Sequence, residues 1–113
     1  MQTGIDRLAS ALNGAWLLEP RSGASRENTL VPVGPLTNIA LALRAAPDLA
    51  KRIAGISLMG GGTLHGNRTA HAEFNIWADP EAAERVFRSG LDVTMIGLDV
   101  THRALLTPPI AQR

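Results

Sequence analysis

The sequence has 113 residues, 45% of them hydrophobic, which is enough for one globular domain with a core. Its net charge of +1 gives no bulk field for nucleic acid or anionic membranes, and its lack of cysteine excludes disulfides, thiolate metal sites and a thiol nucleophile. No apolar run approaches the roughly 18 residues of a membrane span, and no secretory signal is visible. These features favour a soluble cytoplasmic protein.

The first 28 residues are predicted to form a helix followed by a loop. Apolar side chains recur there at spacings of three and four, as one face of an amphipathic helix of about three turns requires. These side chains are Ile5, Leu8, Ala9, Leu12 and Trp16, and Asn13-Gly14 can end or fray the helix. Residues 19–26 are polar and rich in turn-forming types, which predicts the loop.

A strand, a helix and a second strand are predicted next. Residues 29–33 are a short apolar run, and Pro32 has to lie at the strand end or face a gap because proline cannot donate to a ladder. Helical spacing covers residues 36–46, and Asp48 can cap a short turn after it. The apolar run at residues 55–59 then predicts a parallel partner strand, reached by a right-handed crossover.

The last third of the chain repeats this alternation. Asp79 is a good N-cap with Pro80 at the first helical position, and Gly90 favours the end of that helix. Residues 92–98 are predicted as a third strand and residues 99–105 as a short helix or turn. The order predicts an α/β fold with a mostly parallel sheet and flanking helices, and the narrow sheet suggests part of a larger domain.

A run of three glycines ends the second predicted strand. Gly60-Gly61-Gly62 lacks the lysine and hydroxyl of a phosphate-binding Walker loop and the spacing of a dinucleotide-binding loop. We therefore interpret these glycines as a sharp turn that lets the backbone approach a ligand or another strand closely.

The polar segment after the glycines holds the candidate ligand-binding residues. If the segment is extended, Glu73 and Asn75 point to one side and Phe74 to the other. A carboxylate and a carboxamide on one face suit a vicinal diol, and Asn67 can add a third contact. Spacing alone favours the alternative, a solvated polar loop in which Glu73 and Asn67 make turn bonds. Trp77 is interpreted as a packing residue under this loop.

The histidines and two aspartates suggest no separate catalytic site. The positions of His65, His71 and His102 match no compact metal motif, so each is interpreted as a surface or internally satisfied side chain. Asp79 and Asp99 stand at predicted helix starts, where capping explains them without catalysis.

Several segments, in order, resemble the inosine-uridine preferring nucleoside hydrolases. They are residues 30–42, 58–62, 72–75, 79–83, 97–102 and 107–109. The resemblance covers residues 29–113 and leaves residues 1–28 as an unmatched helix and loop. It implies a partial open α/β fold of the nucleoside hydrolase type. It also implies hydrolysis of the N-glycosidic bond of purine or pyrimidine ribonucleosides, which gives ribose and a free base.

The resemblance also implies roles for individual residues. The backbone carbonyl of Val33 corresponds to a ligand of a bound Ca²⁺, an ion that accepts carbonyl oxygens. Asn67, Glu73 and Asn75 match positions that hold ribose hydroxyls, and Met59 matches one that lines the ribose pocket. The diol interpretation thus becomes the main one, with ribose or a ribonucleoside as the expected partner. The family commonly forms homodimers or homotetramers, which leaves a homo-oligomer open for this chain.

Two catalytic features of the family have no counterpart in this sequence. One is an aspartate-rich cluster on the first strand, which supplies most calcium ligands and the catalytic base; the other is a later His-Asp pair. His102 follows a threonine and is not that pair. We therefore assign no catalytic residue and expect a truncated form that is inactive or nearly so alone. The alternatives are a non-catalytic ribose-binding or assembly module and, more weakly, a sequence without a stable fold.

Overall fold

The computed structural model describes residues 15–18, for which only the backbone is described, together with residues 28–105 and residue 107. These residues form four strands, four α-helices and one 3-10 helix. In chain order they are β1 (Ala15–Leu18), β2 (Asn28–Pro32), α1 (Thr37–Ala45), the 3-10 helix (Pro47–Arg52), β3 (Ile53–Met59), α2 (Phe74–Ala78), α3 (Pro80–Phe87), β4 (Val93–Ile96) and α4 (Leu98–Thr101).

The strands form one sheet in the order β1-β2-β3-β4. Strands β2, β3 and β4 are parallel, with Leu30 beside Ile56 and Ile56 beside Val93. Parallel neighbours need crossover connections, which α1 and α3 supply. The three predicted strands and the α/β class are thus confirmed, and β2 ends at Pro32 as expected.

Strand β1 corrects the prediction for the N-terminal segment. The predicted helical stripe includes Trp16, but Ala15–Leu18 is a strand that pairs antiparallel with β2. The free edge of β2 offers hydrogen-bonding groups to this four-residue apolar stretch, and such tertiary pairing overrides helical periodicity. The other members of the predicted helical stripe, at positions 5, 8, 9 and 12, lie outside the described residues.

The core lies between the sheet and helices α1 and α3. Leu58, in β3, and Val86, in α3, have no exposed surface, and Ile39 from α1 is 2% exposed. The same cluster includes Leu30, Leu36, Ala40, Leu49, Ile53, Ile56, Ala82 and Ala83. Because this apolar layer fixes the helices on the sheet, it also fixes the positions of the loops that leave the strands.

Helix α3 begins as its sequence predicts. The Asp79 side chain accepts a hydrogen bond from the backbone N–H of Ala82 at 3.0 Å, and Pro80 is the first helical residue. Thr37 Oγ1 donates to the other oxygen of Asp79 at 2.5 Å, which links the start of α1 to the start of α3. The helix ends before Gly90, which has a φ of 78°.

We expect Asp79 to make stability depend on acid pH. The hydrogen bond from Thr37, followed by that from the Ala82 N–H, lowers the pKa of Asp79. A carboxylate whose pKa is lowered on folding stabilises the protein above its unfolded-state pKa, and this contribution disappears as the pH falls through the folded-state pKa. Asp79→Asn keeps a capping oxygen and should weaken the loss of stability below about pH 4. Urea unfolding at pH 7 and pH 3 measures the loss of stability in the original chain and in Asp79→Asn. An equal loss in both would contradict the expectation.

Within the described ranges, no helix is both long and apolar enough to cross a membrane.

Candidate functional site

The candidate site is built at the carboxyl ends of the parallel strands. The backbone N–H of Gly60, just after β3, donates to the carbonyl of Ile96 in β4 at 3.1 Å, and the N–H of Leu98 donates to the carbonyl of Gly61 at 2.9 Å. A side chain at position 97 would place its Cβ 3.1 Å from the Gly61 carbonyl oxygen, and Gly61 has a φ of 72°. The glycine run therefore turns sharply and approaches a neighbouring strand end, as the sequence suggested.

Glu73 joins this glycine turn to helix α2. It is the N-cap of α2, and its Oε2 accepts from the backbone N–H groups of Asn75 at 2.9 Å and Ile76 at 3.3 Å. The same oxygen accepts from the N–H of Gly61 at 2.9 Å. Only 3% of Glu73 is exposed, so one buried carboxylate oxygen organises both the start of a helix and the turn after β3.

Residues 73–75 are not extended throughout, which was the condition under which Glu73 and Asn75 were predicted to point to one side. Glu73 itself is extended, with φ −82° and ψ 145°, but Phe74 and Asn75 are the first residues of a helix. The reason is the carboxylate cap, a local interaction that side-chain alternation does not reveal. Glu73 and Asn75 are nevertheless both buried, at 3% and 7% exposure, whereas Phe74 is 47% exposed.

Asn75 ties helix α2 to two strand ends. Its Nδ2 donates to the carbonyl of Met59 at 3.0 Å and, more weakly, to the carbonyl of Val33 at 3.4 Å. Nδ2 also lies 3.4 Å from Met59 Sδ. Because both backbone partners are acceptors, the amide nitrogen has to face them, and Oδ1 has to face the other way.

The structure thus brings four of the five predicted site residues together at the carboxyl ends of the parallel strands. Within residues 28–105, Glu73 Oε1 and Asn75 Oδ1 accept no hydrogen bond, although both side chains are buried. A buried acceptor without a donor is costly, so such atoms are where a ligand with hydroxyl groups gains most. The other two members of this group, Val33 and Met59, contribute the carbonyls that orient Asn75.

Asn67, the fifth predicted residue, lies in the loop before α2 and is exposed. Its Oδ1 accepts from the N–H of Phe74 at 2.8 Å, which leaves the Nδ2 group of Asn67 without an acceptor in the described part of the chain. The carbonyl of Ala72 closes the loop by accepting from the N–H groups of residues 67, 68 and 69 at 3.0–3.3 Å. Asn67 is therefore fixed beside Glu73 and still has donors to offer.

We expect Gly66→Ala to disturb this loop more than the core. An added Cβ would lie 2.4 Å from the Ala72 nitrogen and 2.4 Å from the Thr69 carbonyl oxygen, so the backbone has to move. The ribose binding that the resemblance implies should weaken at least about tenfold, while the cooperative unfolding transition persists. Calorimetry with ribose measures the first and thermal melting the second; unchanged affinity would show that the loop does not position a sugar contact.

A groove lies elsewhere, between helices α1 and α3. It has a volume of about 650 Å³ and charged side chains such as Arg44, Glu81 and Arg88 on its walls. None of its lining residues belongs to the group at the strand ends, so we place the candidate site at the carboxyl ends of the strands.

Comparison with known families points to the same family as the sequence motifs at these strand ends. The profile described as inosine-uridine preferring nucleoside hydrolase matches residues 6–113. This chain belongs to the inosine-uridine preferring nucleoside hydrolase family. The match begins upstream of residue 29, where the motifs recognised in the sequence begin.

Several curated nucleoside hydrolases are similar in sequence. The chain is 59% identical over 85 residues to the inosine-uridine preferring nucleoside hydrolase of Crithidia fasciculata, which covers 75% of this chain and 27% of that protein. It is 59% identical over 81 residues to the pyrimidine-specific ribonucleoside hydrolase RihA of Photobacterium profundum, with 72% and 26% covered. The matched region is thus about a quarter of each relative's length.

Solved structures of nucleoside hydrolases have the same fold. An inosine-uridine preferring nucleoside hydrolase from Bacillus anthracis superimposes with a TM-score of 0.72 at 29% identity, covering 96% of this chain and 35% of that one. A purine-preferring ribonucleoside hydrolase from Gardnerella vaginalis gives a TM-score of 0.64 at 59% identity, covering 68% and 25%. The nucleoside hydrolase-like α/β fold is therefore confirmed.

The calcium ion that the nucleoside hydrolase resemblance implies does not fit the described residues alone. Ca²⁺ takes six to eight oxygen ligands, and the resemblance assigns one of them here, the carbonyl of Val33. That carbonyl already receives the weak hydrogen bond from Asn75 at 3.4 Å. In residues 15–18, 28–105 and 107, no three His, Cys, Asp or Glu side chains are grouped closely enough to hold a metal.

In this nucleoside hydrolase segment, the sequence did not predict the side-chain contacts made with the loop of residues 62–72, which contains Asn67 and is called the Asn67 loop. Asp99 was interpreted as a helix cap, but the N-cap of α4 is Gly97, and Asp99 instead accepts from the loop N–H groups of Thr63 and Leu64. His65 and His102, interpreted as separate side chains, lie 3.0 Å apart from Nε2 to Nδ1. No periodicity signals these pairs, because they join residues more than 30 positions apart.

Trp77 also differs from its interpretation as a residue packed under the loop. It is 45% exposed, and the guanidinium carbon of Arg68 lies 4.5 Å from the centre of its ring. The contact is therefore a cation–π stack on the outside of the loop.

Proposed function

We propose that this chain binds the ribose of a ribonucleoside at the carboxyl ends of β2 and β3, as part of a nucleoside hydrolase that cleaves the N-glycosidic bond. The observation that carries the proposal is the pair of oxygens Glu73 Oε1 and Asn75 Oδ1, which belong to buried side chains and lack donors within residues 28–105. The vicinal hydroxyls of ribose can donate to both of these oxygens.

The side chains around these two oxygens offer both a polar and an apolar contact for a sugar. Asn67 Nδ2 has no acceptor among the described residues, so it can donate to ring or hydroxyl oxygens. Met59, whose Sδ lies 3.4 Å from Asn75 Nδ2, gives an apolar wall beside the polar pair. A site with few convergent polar groups and an apolar wall is typical of small-molecule recognition.

The same arrangement can assist glycosidic bond cleavage. When water attacks the anomeric carbon and the base leaves, positive charge develops on the sugar, as in other glycoside hydrolyses. The Glu73 carboxylate and the oxygen of Asn75 are held in place before the reaction by their other hydrogen bonds. Fixed negative and dipolar groups of this kind stabilise such charge without reorganisation.

A binding experiment with two sugars tests the recognition. The full 113-residue chain is titrated with ribose and with 2-deoxyribose, which lacks one of the two vicinal hydroxyls. We expect saturable ribose binding that is at least about tenfold tighter than binding of the deoxy sugar. Equal affinity for both sugars, or no binding of either, would contradict the proposal.

A second experiment separates catalysis from binding. The chain is incubated with inosine or uridine, with and without Ca²⁺, and the released base is measured. Since the described residues offer one of the oxygens that calcium requires, we expect base release to be absent or very slow. Ribose binding without turnover would favour a sugar-binding role for this chain alone, whereas robust turnover would mean that it holds a complete catalytic site.

A further inference from the structure

We propose that Asp99 and His102 are positioning residues that hold the Asn67 loop, residues 62–72, in the geometry that sugar binding requires. The inference rests on the proposed function, because it takes Asn67 as a ribose contact. It concerns a different part of the structure, however, namely the helix that follows β4. Neither residue lies in the group that contains Glu73 and Asn75.

Asp99 fixes the first part of the loop. Its Oδ2 accepts from the N–H of Thr63 at 2.8 Å, and its Oδ1 accepts from the N–H of Leu64 at 3.2 Å. The hydrogen bond from the Thr63 N–H lowers the pKa of Asp99 below its usual value, which favours the charged carboxylate. Hydrogen bonds to a charged acceptor are stronger than neutral ones, and both oxygens of this carboxylate are used on the loop.

His102 fixes the next residue of the loop. Its Nδ1 lies 3.0 Å from Nε2 of His65, and the two rings stack with centroids 5.1 Å apart and planes inclined by 26°. His102 is the C-cap of α4 and follows Asp99 by three positions with helical backbone angles, so the two side chains lie on one face of this turn. That face contacts three consecutive loop residues, at positions 63, 64 and 65.

The far side of the loop is held by helix α2. The N–H of Phe74 donates to Asn67 Oδ1, and Trp77 stacks against Arg68. Asn67 thus lies between an attachment to α4 on one side and an attachment to α2 on the other. Release of the α4 attachment would let residues 63–66 move while the start of α2 stays in place, which would loosen Asn67 without unfolding the sheet.

The test compares variants of the full chain by ribose titration and by the ¹H–¹⁵N signals of the Asn67 side-chain amide. We expect Asp99→Ala to weaken ribose binding about tenfold and His102→Ala about threefold, because the first removes two hydrogen bonds to a charged group and the second removes one hydrogen bond. His102→Asn places an amide where Nδ1 was and should restore affinity to within about twofold of the original chain. Asp99→Asn keeps one acceptor oxygen and should show an intermediate loss.

The matched controls are Asp48→Ala and Arg103→Ala. Asp48 is an exposed carboxylate paired with Lys51, and Arg103 is the exposed neighbour of His102. Both should leave ribose affinity and the Asn67 signals unchanged. If Asp99→Ala does not fold, Asp99→Asn and the two His102 variants still test whether Asp99 and His102 hold the loop.

The outcomes separate the inference from the proposed function. If the original chain binds no ribose, the proposed function fails. The Asn67 amide signals and the hydrogen exchange of the Thr63 and Leu64 amides then decide whether Asp99 and His102 hold the loop. If Asp99→Ala and His102→Ala match the controls in the Asn67 signals, in amide exchange and in any ribose affinity, the inference is overturned.

Discussion

Glu73→Ala is expected to lower the free energy of unfolding by about 3 kcal/mol and to abolish ribose binding. The substitution removes the acceptor of three backbone N–H groups, on Gly61, Asn75 and Ile76. It thereby removes the cap of α2 and the bond that holds the glycine turn. Urea unfolding measures the stability, and calorimetry with ribose measures the binding.

Glu73→Gln distinguishes the structural role of this side chain from its role in binding. Glutamine keeps one oxygen, which can still accept the three N–H groups that Oε2 now accepts, and replaces Oε1 by a donor. We expect most of the stability to remain and ribose affinity to fall at least about tenfold. If the glutamine variant binds ribose as tightly as the original chain, Oε1 is not a sugar acceptor and the proposed orientation of the ribose is wrong.

Leu58→Ala is expected to destabilise the fold by about 3 kcal/mol through the cavity that it leaves in the core. Leu58 has no exposed surface and lies in β3, which has a parallel neighbour on either side. A loss of this size is a large part of the roughly 5–15 kcal/mol that stabilises a typical domain. A markedly lower melting temperature, or the loss of a cooperative transition, is the expected result.

Leu41→Ala is the matched control for this core substitution. Leu41 is on α1, but 55% of it is exposed, so the same change of side chain leaves little cavity. We expect a change within about 0.5 kcal/mol. Similar losses at positions 41 and 58 would mean that the apolar layer between β3 and the helices does not hold the fold together.

The fold was predictable where one local signal determined each element. Asp79 followed by Pro80 predicts the start of α3, and Pro32 predicts the end of β2, because caps and prolines act within one turn or one strand. The short apolar runs gave the parallel strands β2, β3 and β4. The edge strand Ala15–Leu18 was not predictable, because its pairing depends on β2, which begins ten residues later.

The residues of the candidate site were named from the sequence, but their conformation was not predicted. The resemblance named Val33, Met59, Glu73 and Asn75, and the structure places them at one edge, although their roles toward a ligand remain predictions. The helix that starts at Phe74 was missed because Glu73 caps it with the same oxygen that contacts Gly61. A residue that satisfies local and distant N–H groups at once leaves no periodic signal in the sequence.

The carbonyl of Ala72 limits how the length of the Asn67 loop can vary among relatives. It accepts the N–H groups of three successive residues, 67 to 69, so the number of residues between Gly66 and Ala72 is fixed by backbone geometry. The side chains of Ala70 and His71 are exposed and lie outside that constraint. Relatives should therefore exchange residue types at positions 70 and 71 while keeping the spacing constant, and a one-residue insertion there should do more harm than any exchange.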